Sequence, residues 1–464
     1  MSAPIAGHAP PSRSSKSWLE VWTPEDETFW QTTGSKVAWR TLILTTTTLV
    51  LSFATWFVTS ALVVRLPAIG FRFTEMQLFW LAAMPGLAGG TLRIVHTFLI
   101  PIFGTRSVIS VATLLKVIPC IGLGFGILDP HTPFWFFMSF TFLAGMGGGD
   151  FSSYMPSTSL FFPKKRQGTA LGIQAGLGNF GVSLAQFVTP WIIGFALFGS
   201  LTGGHQELVK DGKTSHVWLQ NAVFWYVPLL VALSVACWIW LRSVPVRASF
   251  REQLDIFKDK HTWLCTVTYV MTFGSFSGFS ASFPLMIKSL YGGFPNAPDP
   301  LKYAFYGPLI GSATRVLFGY VSDKTGGGIL THVAGLGMIV VCGVMVWMGV
   351  LTPTSLASFH NFVYLMLAIF FFTGIGNAST FRQFPVIFAH NPRQGAQVLG
   401  WTGAIAAYGP FAFSTLIGVA IARSSGHGGT KSAAAFFIGA IVFYAVAVSL
   451  NWWYYVRKGC ERPS

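Results

Sequence analysis

The chain has 464 residues, of which 52% are hydrophobic and only 10% charged. A soluble globular protein carries roughly a quarter charged residues, so most of this surface does not face water. The net charge of +15 sits in short basic clusters between apolar stretches, a membrane-topology pattern that argues against a nucleic-acid-binding protein.

The opening segment, residues 1–40, is polar and closes on Lys36 and Arg40. It has no short apolar core with a small-residue cleavage site, so it does not read as a signal peptide. Within it, Thr23-Pro24-Glu25-Asp26 reads as a helix start, with threonine as the cap, proline in the first turn and acids near the positive helix end. Apolar spans then follow at 41–64, 76–99, 105–128, 134–161, 168–196, 218–241, 263–287, 303–322, 330–351, 361–388, 395–421 and 433–456. Each is long enough to cross a bilayer of roughly 30 Å. The five cysteines are scattered, mostly inside spans and without metal spacing. They read as small buried hydrophobes rather than as a disulfide framework or metal site.

With both termini on one side, that side holds eighteen Lys and Arg residues and the other holds eight. The positive-inside rule then puts both termini in the cytoplasm. The longest charged loop, residues 242–262, falls in the middle. It divides the chain into an N-terminal six-helix bundle (41–241) and a C-terminal one (263–456), with a cytoplasmic tail at 457–464. Two bundles rocking about a shared midplane site are the expected mechanism for such a layout.

The halves repeat. Gly89-x-x-x-Arg93 in span 2 has a counterpart in Gly311-x-x-x-Arg315 in span 8, and Gly104 and Gly326 each follow their arginine by 11 residues. Matched arginines at matched depth imply one unit used twice. Twelve spans, a central loop and repeated glycine-containing loops resemble the major facilitator superfamily. The expected fold is therefore an all-α membrane protein, twelve transmembrane helices in two six-helix bundles of major facilitator type.

Within that superfamily the chain is similar in detail to the NarK-like nitrate/nitrite porters. Span 5 reads Gly176-Leu177-Gly178-Asn179-Phe180-Gly181-Val182, with Gln186 and Pro190 after it. Also similar are Trp22-x-Pro24-Glu25-Asp26-x-x-Phe29-Trp30, Phe161-Phe162-Pro163-Lys164-Lys165, Tyr269-x-x-x-Phe273-Gly274-Ser275-Phe276 and Ser379-Thr380-Phe381. Span 11 departs from the family pattern. It keeps small residues from Gly403 to Gly409-Pro410 but has Ser414 where a second proline is usual.

An arginine deep in a span costs roughly 2.5–3.5 kcal/mol. Arg93 and Arg315 would repel in an empty pocket, and a planar oxyanion between them offsets both charges with the geometry a guanidinium fork prefers. The resemblance implies the same, since the family's anion-binding arginines sit at these positions. Asn179 can donate to an anion oxygen or join two helices, and Tyr269 can donate or only pack. The resemblance favours binding for both, and it alone singles out Phe53, Phe151, Phe273 and Phe381 as apolar pocket walls. Gly172, Gly176, Gly178 and Gly181, with Gly403 and Gly409, read as helix-packing positions. Asp150, Lys116 and His96 have two readings: proton coupling, or for the first two a buried ion pair and for His96 a hydrogen-bonded packing role.

The expectation is a nitrate transporter working by alternating access, taking up nitrate in exchange for nitrite, with nitrate/proton symport as the alternative. A nitrate sensor would be expected to carry a sizeable soluble domain and an anion channel a continuous basic pore, and the sequence offers neither. No nucleophile–base pair, metal cluster or nucleotide motif suggests an enzyme or a cofactor. The expected partners are nitrate, nitrite, the lipid bilayer and, under symport, protons. The chain is expected to act as a monomer in the cell (inner) membrane.

Overall fold

The computed structural model describes residues 17–210, 213–244, 251–425 and 429–464. The first 16 residues of the expected 1–40 segment and residues 245–250 of the expected linker lie outside the described residues. Twelve helical bodies run through the rest. The first six are α1 (Glu27–Leu62), α2 (Glu75–Ile100), α3 (Ile102–Ile127), α4 (Phe134–Ala144, Met146–Gly149 and Phe151–Phe161), α5 (Lys164–Ile192) and α6 (Asn221–Trp240). The second six are α7 (Lys260–Tyr291), α8 (Leu301–Ala304 and Tyr306–Thr325), α9 (Gly327–Trp347), α10 (Leu356–Ile387), α11 (Pro392–Ala406 and Gly409–Ser425) and α12 (Ala434–Val456). Among the described residues, nine are long and apolar enough to cross a membrane. The exceptions are α4, which is broken into pieces, and α5 and α8, which carry Asn179 and Arg315.

Several helix ends differ from the expectation. Helix α1 begins at Glu27, well before Thr41. Hydropathy registers only the apolar part of a helix, and the first turns of α1 are polar. The cap is Asp26 rather than Thr23: its carboxylate accepts from the backbone N–H groups of Thr28 at 2.8 Å and Phe29 at 3.2 Å. The loop before α6 contains an antiparallel hairpin of β1 (Gln206–Lys210) and β2 (Lys213–Val217), a small addition to an otherwise helical fold.

The matched glycines do matched work. Gly104 (φ 76°) and Gly326 (φ 92°) both adopt left-handed backbone, which glycine takes without steric cost, and both turn the chain after an arginine-bearing helix. Close packing inside each half rests on absent side chains. A Cβ at Gly178 would lie 2.7 Å from Leu49 of α1, and one at Gly374 would lie 2.8 Å from Thr314 of α8.

The halves meet along α2–α11 and α5–α8. A Cβ at Gly86 would lie 2.7 Å from Pro410, and one at Gly418 would lie 2.8 Å from Phe79. The Ser183 hydroxyl donates to the Phe305 carbonyl at 3.0 Å, and the Gln186 amide to the Ser280 carbonyl at 2.8 Å. At the end opposite the termini, three charged contacts tie one half to the other. They are Arg65–Asp299 at 2.6 Å, Lys431–Glu75 at 2.9 Å and Lys288 to the Val64 carbonyl at 2.6 Å. At the terminal end, the pairs Lys260–Glu461, Arg382–Asp323 and Arg462–Asp259 each join groups of the second half.

Candidate functional site

Helix α2 places Arg93 and helix α8 places Arg315 inside the protein, fully buried and 5% exposed respectively. Arg93 is held by backbone. Its Nε donates to the Gly148 carbonyl at 2.8 Å and its Nη1 to the Gly403 carbonyl at 2.6 Å, while Nη2 has no partner. The break in α4 at Gly145–Asp150 turns the Gly148 carbonyl out of the helical ladder, and the break in α11 leaves that of Gly403 near a helix end. Arg315 is less restrained: Nη1 and Nη2 are both without partners. The site therefore carries three unpaired guanidinium nitrogens on two buried cations, a costly arrangement unless an anion completes it.

Aromatic rings join the two arginines in an unbroken chain. The Arg93 Cζ lies 4.5 Å from the Phe151 ring centre, 5.3 Å from Phe273 and 5.4 Å from Trp56. Phe273 stacks on Tyr269 at 5.4 Å, Tyr269 lies 5.7 Å from Phe381, and the Arg315 Cζ lies 4.6 Å from Phe381. Phe53 stands behind, in edge contact with Trp56 at 5.4 Å and Phe151 at 5.9 Å. The Trp56 contact is one the sequence reading missed. Its indole N–H is anchored to the Pro85 carbonyl at 2.8 Å, and it packs against both Gly89 and Gly148. Such walls exclude water and strengthen electrostatics at the arginines.

Further unpartnered polar atoms sit on the helices around the two arginines. Tyr269 is buried and its hydroxyl has no partner. Asn179 is fully buried with both amide atoms unpartnered. Helical spacing puts Asn179 on the face of α5 shared by Gly176, Ser183 and Gln186, which meet α7 and α8 of the other half. Asn377 in α10, absent from the sequence reading, is likewise fully buried with both amide atoms free.

Asp150 and Lys116 form a buried ion pair beside this pocket, Nζ to Oδ2, 0% and 1% exposed. Ser52 also donates to Oδ2, at 3.0 Å. Lys116 lies at the break between two helical stretches of α3 and Asp150 at the last break of α4, so the pair joins two irregular points in the core. His96 is hydrogen-bonded through Nδ1 to the Ser153 hydroxyl at 2.8 Å. Lys116 and Asp150 thus stand paired with each other, and His96 stands hydrogen-bonded between α2 and α4.

The glycines divide. A Cβ at Gly176 would lie 2.7 Å from Val316, and one at Gly181 would lie 2.9 Å from Phe53. Gly409 is pressed against Gly274 and Ser277. Gly172 is different: nothing lies within 4 Å of a Cβ there, so the expectation of packing at this position is corrected. Gly403 is also corrected, since its nearest neighbour is Arg93 at 3.6 Å and its carbonyl serves that arginine.

Comparison with known proteins agrees with this architecture. The family model described as Major Facilitator Superfamily matches residues 44–381. The chain is 57% identical over 448 residues to "Probable nitrate/nitrite antiporter NarK2" of Thermus thermophilus, covering 96% of this chain and 98% of that one. It is 36% identical over 466 residues to "Nitrate/nitrite transporter NarU" of Escherichia coli (strain K12), covering 96% and 98%. Among solved structures, a bacterial homologue of the human lysosomal transporter Spinster, in an inward-facing and occupied conformation, superposes with a TM-score of 0.63 at 15% identity over 89% of this chain and 95% of that one. The nucleoside transporter NupG gives 0.59 at 10% identity, covering 89% and 98%. At those identities the structural likeness concerns the fold alone.

Proposed function

The chain belongs to the major facilitator superfamily and, within it, to the NarK-like nitrate/nitrite porters, and from that premise we propose that it takes up nitrate in exchange for nitrite by alternating access. The observation that carries this reading is the pair of buried arginines, one per half, with three unpaired Nη groups between aromatic walls. A planar monovalent oxyanion fits the chemistry of that site. The Arg315 fork takes two oxygens side by side, and Nη2 of Arg93 and the Tyr269 hydroxyl are free to donate to the rest. Phe151 and Phe273 beside Arg93, and Phe381 beside Arg315, supply the apolar walls against which a flat anion would lie.

Exchange follows from electrostatics. An empty pocket leaves two cations facing each other across the joint between the halves, which opposes closure. A bound anion offsets the repulsion and lets the halves rock. Nitrate and nitrite carry the same charge, so either permits the return step. No proton carrier is needed: the carboxylate beside the site, Asp150, is occupied by Lys116 and Ser52. The three cross-half ties at the end opposite the termini fit a state closed on that face, and Nη1 of Arg93 bonded to Gly403 of the other half is a contact that must break during switching. With both termini cytoplasmic, as the basic residues suggest, that closed face is the outer one of the inner membrane.

Titration calorimetry of purified protein with nitrate tests the site. Arg93→Lys and Arg315→Lys keep the charge but lose the planar fork, and each is expected to abolish or severely weaken binding. Near-normal affinity in either variant would refute the paired-arginine site.

A further inference from the structure

We propose that Asn377 is a substrate-binding residue that favours nitrate over nitrite, a role that rests on the nitrate/nitrite reading of the same pocket. Three independent observations carry it. The first is burial without satisfaction. Asn377 is 0% exposed, and neither its amide nitrogen nor its oxygen has a partner. A buried amide left unpaired is costly, and asparagine inside a membrane helix normally bonds across to a neighbour.

The second is place. On α10, helical spacing sets Asn377 on one face with Phe370, two turns before it, and Phe381, one turn after. Phe370 meets Phe276 at 6.1 Å, and its carbonyl would lie 3.1 Å from a Cβ at Gly311. Phe381 carries Arg315 over its ring at 4.6 Å. The Asn377 face is therefore the one turned towards α7 and α8, where Tyr269 and Arg315 stand.

The third is the internal repeat. Gly145-x-Gly147-Gly148 and Pro156 of α4 align residue for residue with Gly374-x-Gly376-Asn377 and Pro385 of α10. Asn377 is thus the counterpart of Gly148, and Arg315 is the counterpart of Arg93. In the first half the position is glycine, and its bare carbonyl ties Arg93 at 2.8 Å. In the second half an amide side chain stands at that position, while Arg315 keeps both Nη groups free. One arginine is fixed by backbone; the other is accompanied by a donor that can reach the anion with it.

The specificity follows from counting donors. Nitrite has two oxygens and nitrate three. The Arg315 fork spans two oxygens of either anion, and Nη2 of Arg93 and the Tyr269 hydroxyl leave acceptor capacity on nitrate's third oxygen that nitrite lacks. The amide of Asn377 becomes useful for the third, so its loss weakens nitrate more than nitrite.

The test uses full-length protein in proteoliposomes, with counterflow measured at varied nitrate and at varied nitrite. Asn377→Ala is expected to raise the KM for nitrate about tenfold, the scale of one lost hydrogen bond to a charged group. The KM for nitrite should change by less, and maximal rate by no more than about twofold. Asn377→Asp sets a carboxylate against the anion and is expected to lose nitrate exchange altogether. Asn377→Ser, which retains a donor, should lie between wild type and Asn377→Ala. If the alanine variant does not survive purification, the serine variant and the melting-temperature rise that nitrate induces in detergent supply the same comparison. Equal changes in both KM values would overturn the preference for nitrate, and a fall in rate or stability with both KM values unchanged would overturn the assignment and leave Asn377 a packing residue. Absence of saturable nitrate counterflow in the wild type would instead overturn the transport reading itself.

Discussion

Removing Lys116 tests whether Asp150 is structural. The variant Lys116→Met leaves a carboxylate that is 0% exposed, with the Ser52 hydroxyl at 3.0 Å as its remaining bond. Its other oxygen, Oδ1, is already without a partner. Breaking a buried ion pair from one side costs about 3–5 kcal/mol, because the surviving charge stays desolvated. That is a large part of the roughly 5–15 kcal/mol that holds a typical domain together. Removing both charges, as in Lys116→Met with Asp150→Leu, removes the uncompensated charge and is expected to recover most of the loss. Asp150→Asn should be milder than Lys116→Met, since the new amide still accepts a hydrogen bond from Lys116 and no bare carboxylate is left buried. Thermal unfolding of the detergent-purified variants gives the ranking, and nitrate/nitrite counterflow should survive Asp150→Asn. A Lys116→Met protein as stable as wild type, or Asp150→Asn without counterflow, would refute the structural role of the pair.

Three further outcomes follow from the same geometry. Sulfate and phosphate should fail to inhibit nitrate uptake at concentrations where nitrite competes, because the slot between the rings suits a flat monovalent anion; strong inhibition by either would contradict the pocket. Asp299→Ala removes the partner of Arg65 across the halves. Spin-label distances between the loops after α1 and α7 should then lengthen, and an unchanged distribution would show that the tie does not hold the closed face. Gly181→Val inserts a branched side chain where even a Cβ would lie 2.9 Å from Phe53. Overpacking of this kind costs typically about 1–3 kcal/mol, visible as a lower melting temperature.

Much of the site was legible in the sequence because it is repeated. Arg93 and Arg315 stand at matched spacings from glycines, and Gly104 and Gly326 both take left-handed backbone. Asp150 and Lys116 stood out in the sequence because charges inside apolar spans demand either a partner or a function. Other features carried no linear signal. The Gly145–Gly149 run reads as helix, yet it is where α4 breaks and offers a carbonyl to Arg93. The α1 start at Glu27 was hidden because its first turns are polar. The hairpin from Gln206 to Val217 lacks strong apolar alternation, although Asp211-Gly212 is a hairpin-type dipeptide in the sequence. Asn377 carries only a weak linear signal. Gly374-x-Gly376-Asn377 echoes Gly176-x-Gly178-Asn179, but the two lie in helices that are not repeat mates. What marks Asn377 is its lack of partners, a property of the folded protein.

The most direct test of nitrate/nitrite exchange is nitrate uptake into proteoliposomes, with and without internal nitrite and with and without an imposed pH gradient. Exchange by two unpaired arginines predicts rapid uptake whenever nitrite is inside, none above background when the interior lacks a counter-anion, and no response to the gradient. Nitrate accumulation driven by a pH gradient into vesicles free of internal nitrite would contradict it and make the protein a proton symporter.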